Sequence, residues 1–339
     1  MVEECKRVPL KSGEELVVKR MVPPEESYQD RLVDFFPYTG SAWDQELIRR
    51  AEGKLVEVSR DFFFVGEIGD QLVGYIWYTM PLDLTEVSTM GFVYTDPGHR
   101  RKGIATNLLE VALEDCLNRS GVPSATYLST EMDNPVHGLY ARFGFRDHRM
   151  RRKEVVMRLA RPSEEEFESH YFRWEGQASI REPHRGDLPR FEALFNRSGW
   201  VIKDLAHGVL GQAPYEKQFV WTLNALESGH SCSLVLENPR KRVVGWAMLT
   251  FHSQAEGWEE DWALLDFLVC PEYGAQAQEL VDQTIQRSRG VTLRSYAAQQ
   301  DREKVEVLNR FGFRLDCDMR MGVNGRETAI GIYDRRPTP

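Results

Sequence analysis

The chain contains itself twice. The segment Leu139-Tyr-Ala-Arg-Phe-Gly-Phe-Arg146 returns as Val307-Leu-Asn-Arg-Phe-Gly-Phe-Arg314. Both follow a polar stretch and precede an alternating, strand-like run, Arg149 to Leu159 in one case and Leu315 to Val323 in the other. The likeness extends upstream. Phe62 to Met80 reads as two strands joined at Gly69-Asp70, and Ser231 to Phe251 reads likewise, joined at Asn238-Pro239. Apolar alternation around turn residues is a hairpin signal. Val73-Gly74-Tyr75 and Val244-Gly245-Trp246 fall at the same place, and Phe92-Val93 answers to Phe267-Leu268-Val269. A repeat this long is a duplicated domain rather than a solenoid unit. The expectation is two halves, 12–160 and 178–336, packed as an internal pseudo-dimer and joined by a linker at 161–177. A length of 339 residues fits about two domains.

Each half alternates strands with helices, which predicts an α/β (α+β) fold with a mixed, mostly antiparallel central sheet flanked by helices. In the first half, Glu15 to Met21 is the opening strand and Asp44 to Arg60 is read as helical. Ile104 to Leu117 carries a one-face apolar stripe and is a helix. Ala125 to Thr130 is a strand. Val136 to Phe143 is a helix that Gly144 ends. The linker, with Pro162-Ser163-Glu164-Glu165-Glu166, reads as polar and extended, while its Tyr171, Phe172 and Trp174 are expected to pack on a domain.

Composition narrows the class. The 42% hydrophobic content supports globular cores, and no run of about 18 apolar residues predicts a membrane span. Residues 1–10 lack an apolar signal region, so the expectation is a cytoplasmic protein with no membrane partner. A net charge of −9 argues against nucleic acid. Five scattered cysteines without C-x-x-C spacing argue against a disulfide framework or a metal site.

The chemistry concentrates in Val93 to Leu109, a strand, a basic loop and a helix. The first N–H groups of a helix have no intrahelical partner and lie at the positive end of its dipole. They hold a phosphate from backbone alone. Arg100, Arg101 and Lys102 add charge, and Gly103 lets a bulky anion approach.

These residues resemble the GNAT superfamily of acyl-CoA-dependent N-acyltransferases. Its pyrophosphate motif stands here as Arg100-Arg-Lys-Gly103-Ile-Ala105, and its second motif as Asn134-Pro-Val-His-Gly-Leu139-Tyr140-Ala-Arg-Phe-Gly144-Phe145. The layout resembles two-domain members such as mycothiol synthase. In that class the resemblance makes the later copy the active one, whereas here the earlier copy carries the motif, so its substrate is not carried over. The second half keeps the strand and the proline in Val269-Cys270-Pro271-Glu272-Tyr273, but has Gly274-Ala-Gln-Ala-Gln-Glu279 after them and Leu308 where Tyr140 stands. It is expected to be a degenerate GNAT-like domain.

The resemblance implies transfer of acetyl from acetyl-CoA, a cosubstrate, to the primary amine of a small molecule, with no metal and no covalent enzyme intermediate. Pantetheine would lie between the strand ending Val93-Tyr94-Thr95 and the strand 125–130. The Val93 N–H would hold the oxyanion, and the loop Arg100 to Thr106, with Ile104 and Ala105, would hold the pyrophosphate. Tyr140 would be the general acid, because a phenol near pKa 10 can protonate a leaving thiolate. Glu86, Glu131 and Asp133 are the carboxylates weighed as base. Asn134 either contacts the cofactor or caps the following helix. His99 and His137 read as incidental. Phe35, Phe36, Tyr38 and Trp43, and in the second half Trp258 and Trp262, either line an acceptor pocket or serve packing. The other functions weighed are a GNAT-fold acyl-CoA decarboxylase or O-acyltransferase, and a non-catalytic CoA-binding regulatory module. Either a monomer or a homodimer is compatible with the internal duplication.

Overall fold

The computed structural model describes residues 2–151, 153–200, 215–252, 261–323 and 326–336. It divides into two compact units, residues 1–171 with 185–193, and 172–184 with 194–339.

The first unit runs β1 (Val2–Pro9), β2 (Glu15–Met21), α1 (Glu26–Phe35), α2 (Ala42–Ala51), β3 (Ser59–Ile68), β4 (Gln71–Pro81), β5 (Val87–Thr95), α3 (Ile104–Arg119), β6 (Ser124–Glu131), α4 (His137–Arg142), β7 (Arg146–Arg151), β8 (Glu154–Arg161) and α5 (Glu164–Tyr171). Its sheet has the order β1-β2-β3-β4-β5-β6-β8-β7. Every neighbouring pair is antiparallel except β5 and β6. Helix α3 buries Ile104, Leu108, Leu109, Ala112, Leu113 and Cys116 on one face of this sheet, against Val18, Phe64, Ile76, Tyr78 and Met90. The apolar stripe that marks this helix in sequence is the face that packs.

The second unit contains β9 (Ser179–Arg181), most of the chain after α6 (Leu188–Phe195), α7 (Tyr215–Glu227), β10 (Ser231–Glu237), β11 (Val243–His252), β12 (Trp262–Val269), α8 (Ala277–Ile285), β13 (Thr292–Ala298), α9 (Arg302–Arg310), β14 (Arg314–Val323) and β15 (Arg326–Arg335). Its sheet order is β14-β15-β13-β12-β11-β10-β9, with β12 and β13 the parallel pair. Apart from β1, the two sheets have the same strand plan. The α/β fold with two mostly antiparallel sheets expected from the repeat is the one observed.

Three expectations change. Helix α2 stops at Ala51 rather than running to Arg60, because Gly53 takes a left-handed φ of +72° that breaks the helix. A Cβ at Gly53 would also lie 2.8 Å from Pro24. The linker is not extended: residues 164–171 form α5, with three glutamates in its first turn, where they suit the helix dipole, and with Phe167 and Tyr171 buried. Finally, β1 pairs with β2 and starts the first sheet before residue 12, and residues 185–193 belong to the first unit.

Candidate active site

The centre of the first unit is a defect in the ladder between β4 and β5. Tyr75 pairs with Tyr94 and Trp77 with Gly91, so Phe92 and Val93 together oppose Ile76 alone. This is a β-bulge. Phe92 sits at φ +54°, a region bulky residues seldom occupy. Its ring packs on Trp43 and on Trp77, each at 5.9 Å between centroids. Gly74 is required nearby, because a Cβ there would come within 2.8 Å of the Tyr94 carbonyl oxygen. On the other side, β5 pairs with β6 only over Val87, Ser88 and Thr89. Beyond Thr89 the two parallel strands are no longer paired. Val93 therefore lies in the bulge, beyond the last residue of β5 that pairs with β6.

The strand ends in the basic loop. Asp96 accepts a hydrogen bond from the Gly98 N–H at 2.9 Å, and its carboxylate lies 3.1 Å from the His99 ring. The bond to His99 is the main cause holding Asp96 below the usual carboxylate range. Arg101 and Gly103 both take left-handed φ, +64° and +91°. Gly103 is the N-cap of α3, so the first amides of Ile104, Ala105 and Thr106 are free of helical partners. Arg100 and Arg101 are exposed. Lys102 instead pairs with Glu14 at 2.8 Å, which leaves the two arginines as the loop's outward cations.

The opening carries the polar groups an amide-rich ligand needs. Thr95 Oγ1 on β5 and Ser129 Oγ on β6 are buried without a hydrogen-bond partner. Such orphaned groups are costly unless a ligand or water completes them. Tyr140 lies on α4, buried against the core, with Phe145 edge-on at 6.2 Å. Burial alone pushes its pKa up, so the phenol stays protonated.

The structure separates the carboxylates weighed as base. Glu86 precedes β5 at the paired end, and its carboxylate is 3.2 Å from the His170 ring. Glu131 ends β6, four residues past Tyr127 of the last β5–β6 pair, and is exposed. Asp133 is held by Lys153 at 2.9 Å. Asn134 Oδ1 accepts from the Val136 N–H at 3.1 Å, a turn leading into α4. His137 bonds to Asp147 at 2.8 Å.

Sequence reading missed the opposite face of the sheet, under α2. Arg50 is fully buried there. It donates to Glu46 at 2.8 and 3.0 Å, to Asp61 at 2.9 Å, to Thr79 at 3.2 Å and to the Arg185 carbonyl at 3.1 Å. Asp61 also accepts from the Trp77 indole at 2.9 Å. Arg185 pairs with Glu46 at 2.5 Å. The Thr89 hydroxyl, on the last paired residue before the strands part, donates to the buried Glu192. Residues 185–193 thus complete the first unit, although they lie past the linker. No local pattern in the sequence ties them to β5.

Phe36 and Tyr38, with Tyr75 and Phe92, line a cavity of about 190 Å³ on this face, and Thr39, Ser41 and Asp44 form its polar part. Phe35 packs on Tyr75 and Tyr94. In the second unit Trp262 stacks on His252 at 4.3 Å. Trp258 lies outside the described residues.

The corresponding place in the second unit differs. There β11 and β12 pair without a break from Gly245–Val269 to His252–Trp262, so no bulge forms. The strands β12 and β13 pair through Leu265–Ser295. The next residue, Asp266, is buried and ion-paired with the buried Lys304 of α9. Asp266 also accepts the Phe267 N–H at 2.9 Å. A buried ion pair thus stands just past the last β12–β13 pair, where Ser295 has a buried hydroxyl without a partner.

Residues 26–145 match the acetyltransferase (GNAT) family. No curated protein matches the chain. Among solved structures it is similar to an acetyltransferase of the GNAT family from Streptococcus pneumoniae, at 14% identity and a TM-score of 0.39, covering 47% of this chain and 99% of that one. It is similar to a phosphinothricin acetyltransferase from Sinorhizobium meliloti in complex with acetyl-CoA, at 14% identity and a TM-score of 0.40, covering 48% and 89%. A spermidine/spermine N-acetyltransferase from Vibrio cholerae is similar at 18% identity and a TM-score of 0.35, covering 47% and 94%.

Proposed function

We propose that the first unit, whose residues 26–145 match the acetyltransferase (GNAT) family, transfers acetyl from acetyl-CoA to the primary amine of a small molecule by direct attack. The observation that carries this reading is the bulge at Phe92–Val93, set above an unpaired parallel strand pair and leading into a loop of arginines and left-handed residues. Pantetheine would run along the opening, its amides meeting Thr95 and Ser129. Pyrophosphate would sit on the α3 N-terminus, with Arg100 and Arg101 beside it.

In the reaction the amine nitrogen lone pair attacks the thioester carbonyl. The oxygen takes up the charge, and the Val93 N–H donates to it. One such donor lowers a barrier by about 3–4 kcal/mol. The C–S bond then breaks, Tyr140 gives its proton to the leaving thiolate, and the attacking nitrogen gives up its extra proton, through water, to the Tyr140 phenolate, leaving a neutral amide and a neutral phenol. Before attack the ammonium must lose a proton. Glu131, at the end of β6, would accept it through water, whereas Glu86 at the paired end lies seven residues of strand from Val93, about 23 Å. Much of the acceleration would come from alignment, which can supply about 7–11 kcal/mol.

The second unit would support the first without turnover. Among the described residues no helix is long and apolar enough to cross a membrane, and the reading takes the enzyme to work in the cytoplasm, where its acyl donor is made. The test is free-thiol release from acetyl-CoA with a panel of amines, beside acetyl-CoA binding to the intact chain. Turnover with at least one amine is expected, together with loss of acetyl-CoA affinity in an Arg100→Ala, Gly103→Val double variant. Unchanged affinity in that variant would remove the cofactor assignment.

A further inference from the structure

The cavity beside the bulge narrows what the acceptor can be. Its walls are Val33, Phe36, Tyr38, Leu47, Tyr75 and Phe92, which are aromatic or branched aliphatic. Its size, about 190 Å³, is comparable to the roughly 150 Å³ of an apolar cavity that takes up benzene. It has room for one ring with a short substituent. Phe92 belongs both to this wall and to the bulge, one residue from the Val93 N–H.

The polar end is equally specific. Asp44 receives the Thr39 N–H and hydroxyl, both at 2.9 Å, and the Ser41 N–H at 2.8 Å, and all three reach Oδ2. Burial opposes ionisation of Asp44, but these backbone and hydroxyl donors outweigh it and hold the group below the usual carboxylate range. Asp44 is thus a fixed anion in the cavity wall, with the Ser41 hydroxyl a further donor to it. Side chains with one direction for an apolar body and one for a donor read a ligand by both features.

We propose that the acceptor is a compact primary amine with an aromatic body that fills this cavity and a hydrogen-bond donor at its far end that reaches Asp44. A phenolic arylalkylamine has this form. The nucleophilic nitrogen lies at the Phe92–Val93 mouth, the ring rests among Phe36, Tyr75 and Phe92, and the hydroxyl donates to Asp44. The inference rests on the acetyl-transfer reading for its chemistry, but the cavity can be examined without turnover.

Two readouts keep the two claims apart. Thiol release would be measured with tyramine, 2-phenylethylamine, spermidine and an alanine-terminated peptide. Tyramine is expected to show the highest kcat/KM, about tenfold or more above spermidine, with 2-phenylethylamine between them. Calorimetric binding of tyramine to the intact chain, without acetyl-CoA, is expected to be saturable. Val33→Phe and Ile48→Phe, which narrow the cavity from different helices, should each weaken it about tenfold or more. Asp44→Asn should erase the preference for tyramine over 2-phenylethylamine. Turnover of spermidine or the peptide with both aromatic amines inert would overturn the inference and leave acetyl transfer standing. Tyramine binding that both filling variants leave unchanged would also overturn it. Saturable, variant-sensitive binding of tyramine with no thiol release from any amine would uphold the cavity assignment and overturn the acetyl-transfer reading.

Discussion

The two units share a strand plan and differ where chemistry is expected. Both place a parallel strand pair at the centre and part those strands after a few residues. In the first unit Phe92 and Val93 bulge out of register, Gly91 stands beside them, and Thr95 and Ser129 remain without partners. In the second the ladder is continuous, and the place of Gly91 is taken by Asp266, tied to Lys304 and to the Phe267 N–H. Ser295, the last residue of β13 that pairs with β12, likewise has a buried hydroxyl without a partner, so the units differ in the bulge and in the buried ion pair rather than in unsatisfied groups. The comparison teaches that a duplicated fold can keep its topology while changing strand register and buried charge at one place, because topology rests on apolar periodicity.

The largest effect that would test this contrast is at Tyr140. Tyr140→Phe should lower kcat/KM about 10²–10⁴-fold, as expected on removing a general acid. Leu308→Tyr in the second unit should restore no second activity. Steady-state thiol release measures both, and a Tyr140→Phe enzyme of full activity would end the acid assignment.

Next is the buried ion pair of the second unit. Lys304→Met leaves a buried Asp266 uncompensated, which should cost about 3–5 kcal/mol in unfolding free energy. Chemical denaturation would register it. Acetyl-CoA binding to the intact chain should persist below the new midpoint, since the second unit is expected to bind none.

A third test concerns the loops. Gly103→Val puts a β-branched residue at φ +91°, with strain of about 1–3 kcal/mol, and should raise the acetyl-CoA Kd about tenfold or more. Gly274 has open space around it and no positive φ. Gly274→Val should therefore leave affinity and midpoint unchanged, and an equal loss from both changes would erase the asymmetry.

The smallest effect is electrostatic. Glu67, on β3, pairs with Lys19 and with Arg31 at 2.7 Å, and Tyr28 donates to it. Burial pushes its pKa up, but these partners outweigh burial and hold it below the usual carboxylate range. A depressed pKa contributes stability that is complete above the unfolded value of about 4.3. That stability is lost as pH falls through the folded value. Glu67→Gln should lower the urea midpoint at neutral pH and flatten the acid limb of first-unit stability. An unaltered acid limb would assign that slope to other carboxylates.

The legible features of this chain are local ones. Leu139 to Arg146 and Val307 to Arg314 announce the duplication, the stripe on α3 announces its packed face, and Arg100 to Ala105 announces the anion loop. Each depends on neighbours within a turn or a strand, where spacing alone decides which side chains share a face. The helix expected to reach Arg60 ended early because Gly53 must pass Pro24, a contact between distant segments. The linker formed α5 because Phe167 and Tyr171 had a surface on which to be buried.

The sequence by itself determined two copies of one α/β plan and the copy that carries the anion loop. Only the tertiary structure decided that Phe92 and Val93 oppose a single residue, that Glu192 reaches Thr89 across more than a hundred positions, that Asp44 shares a cavity wall with Tyr75 and Phe92, and that Lys304 pairs with the buried Asp266. The physical reason is range. Periodicity and turn chemistry act between residues close along the chain. Register, cavity shape and the pairing of buried charges are set by what meets only after the sheet has formed.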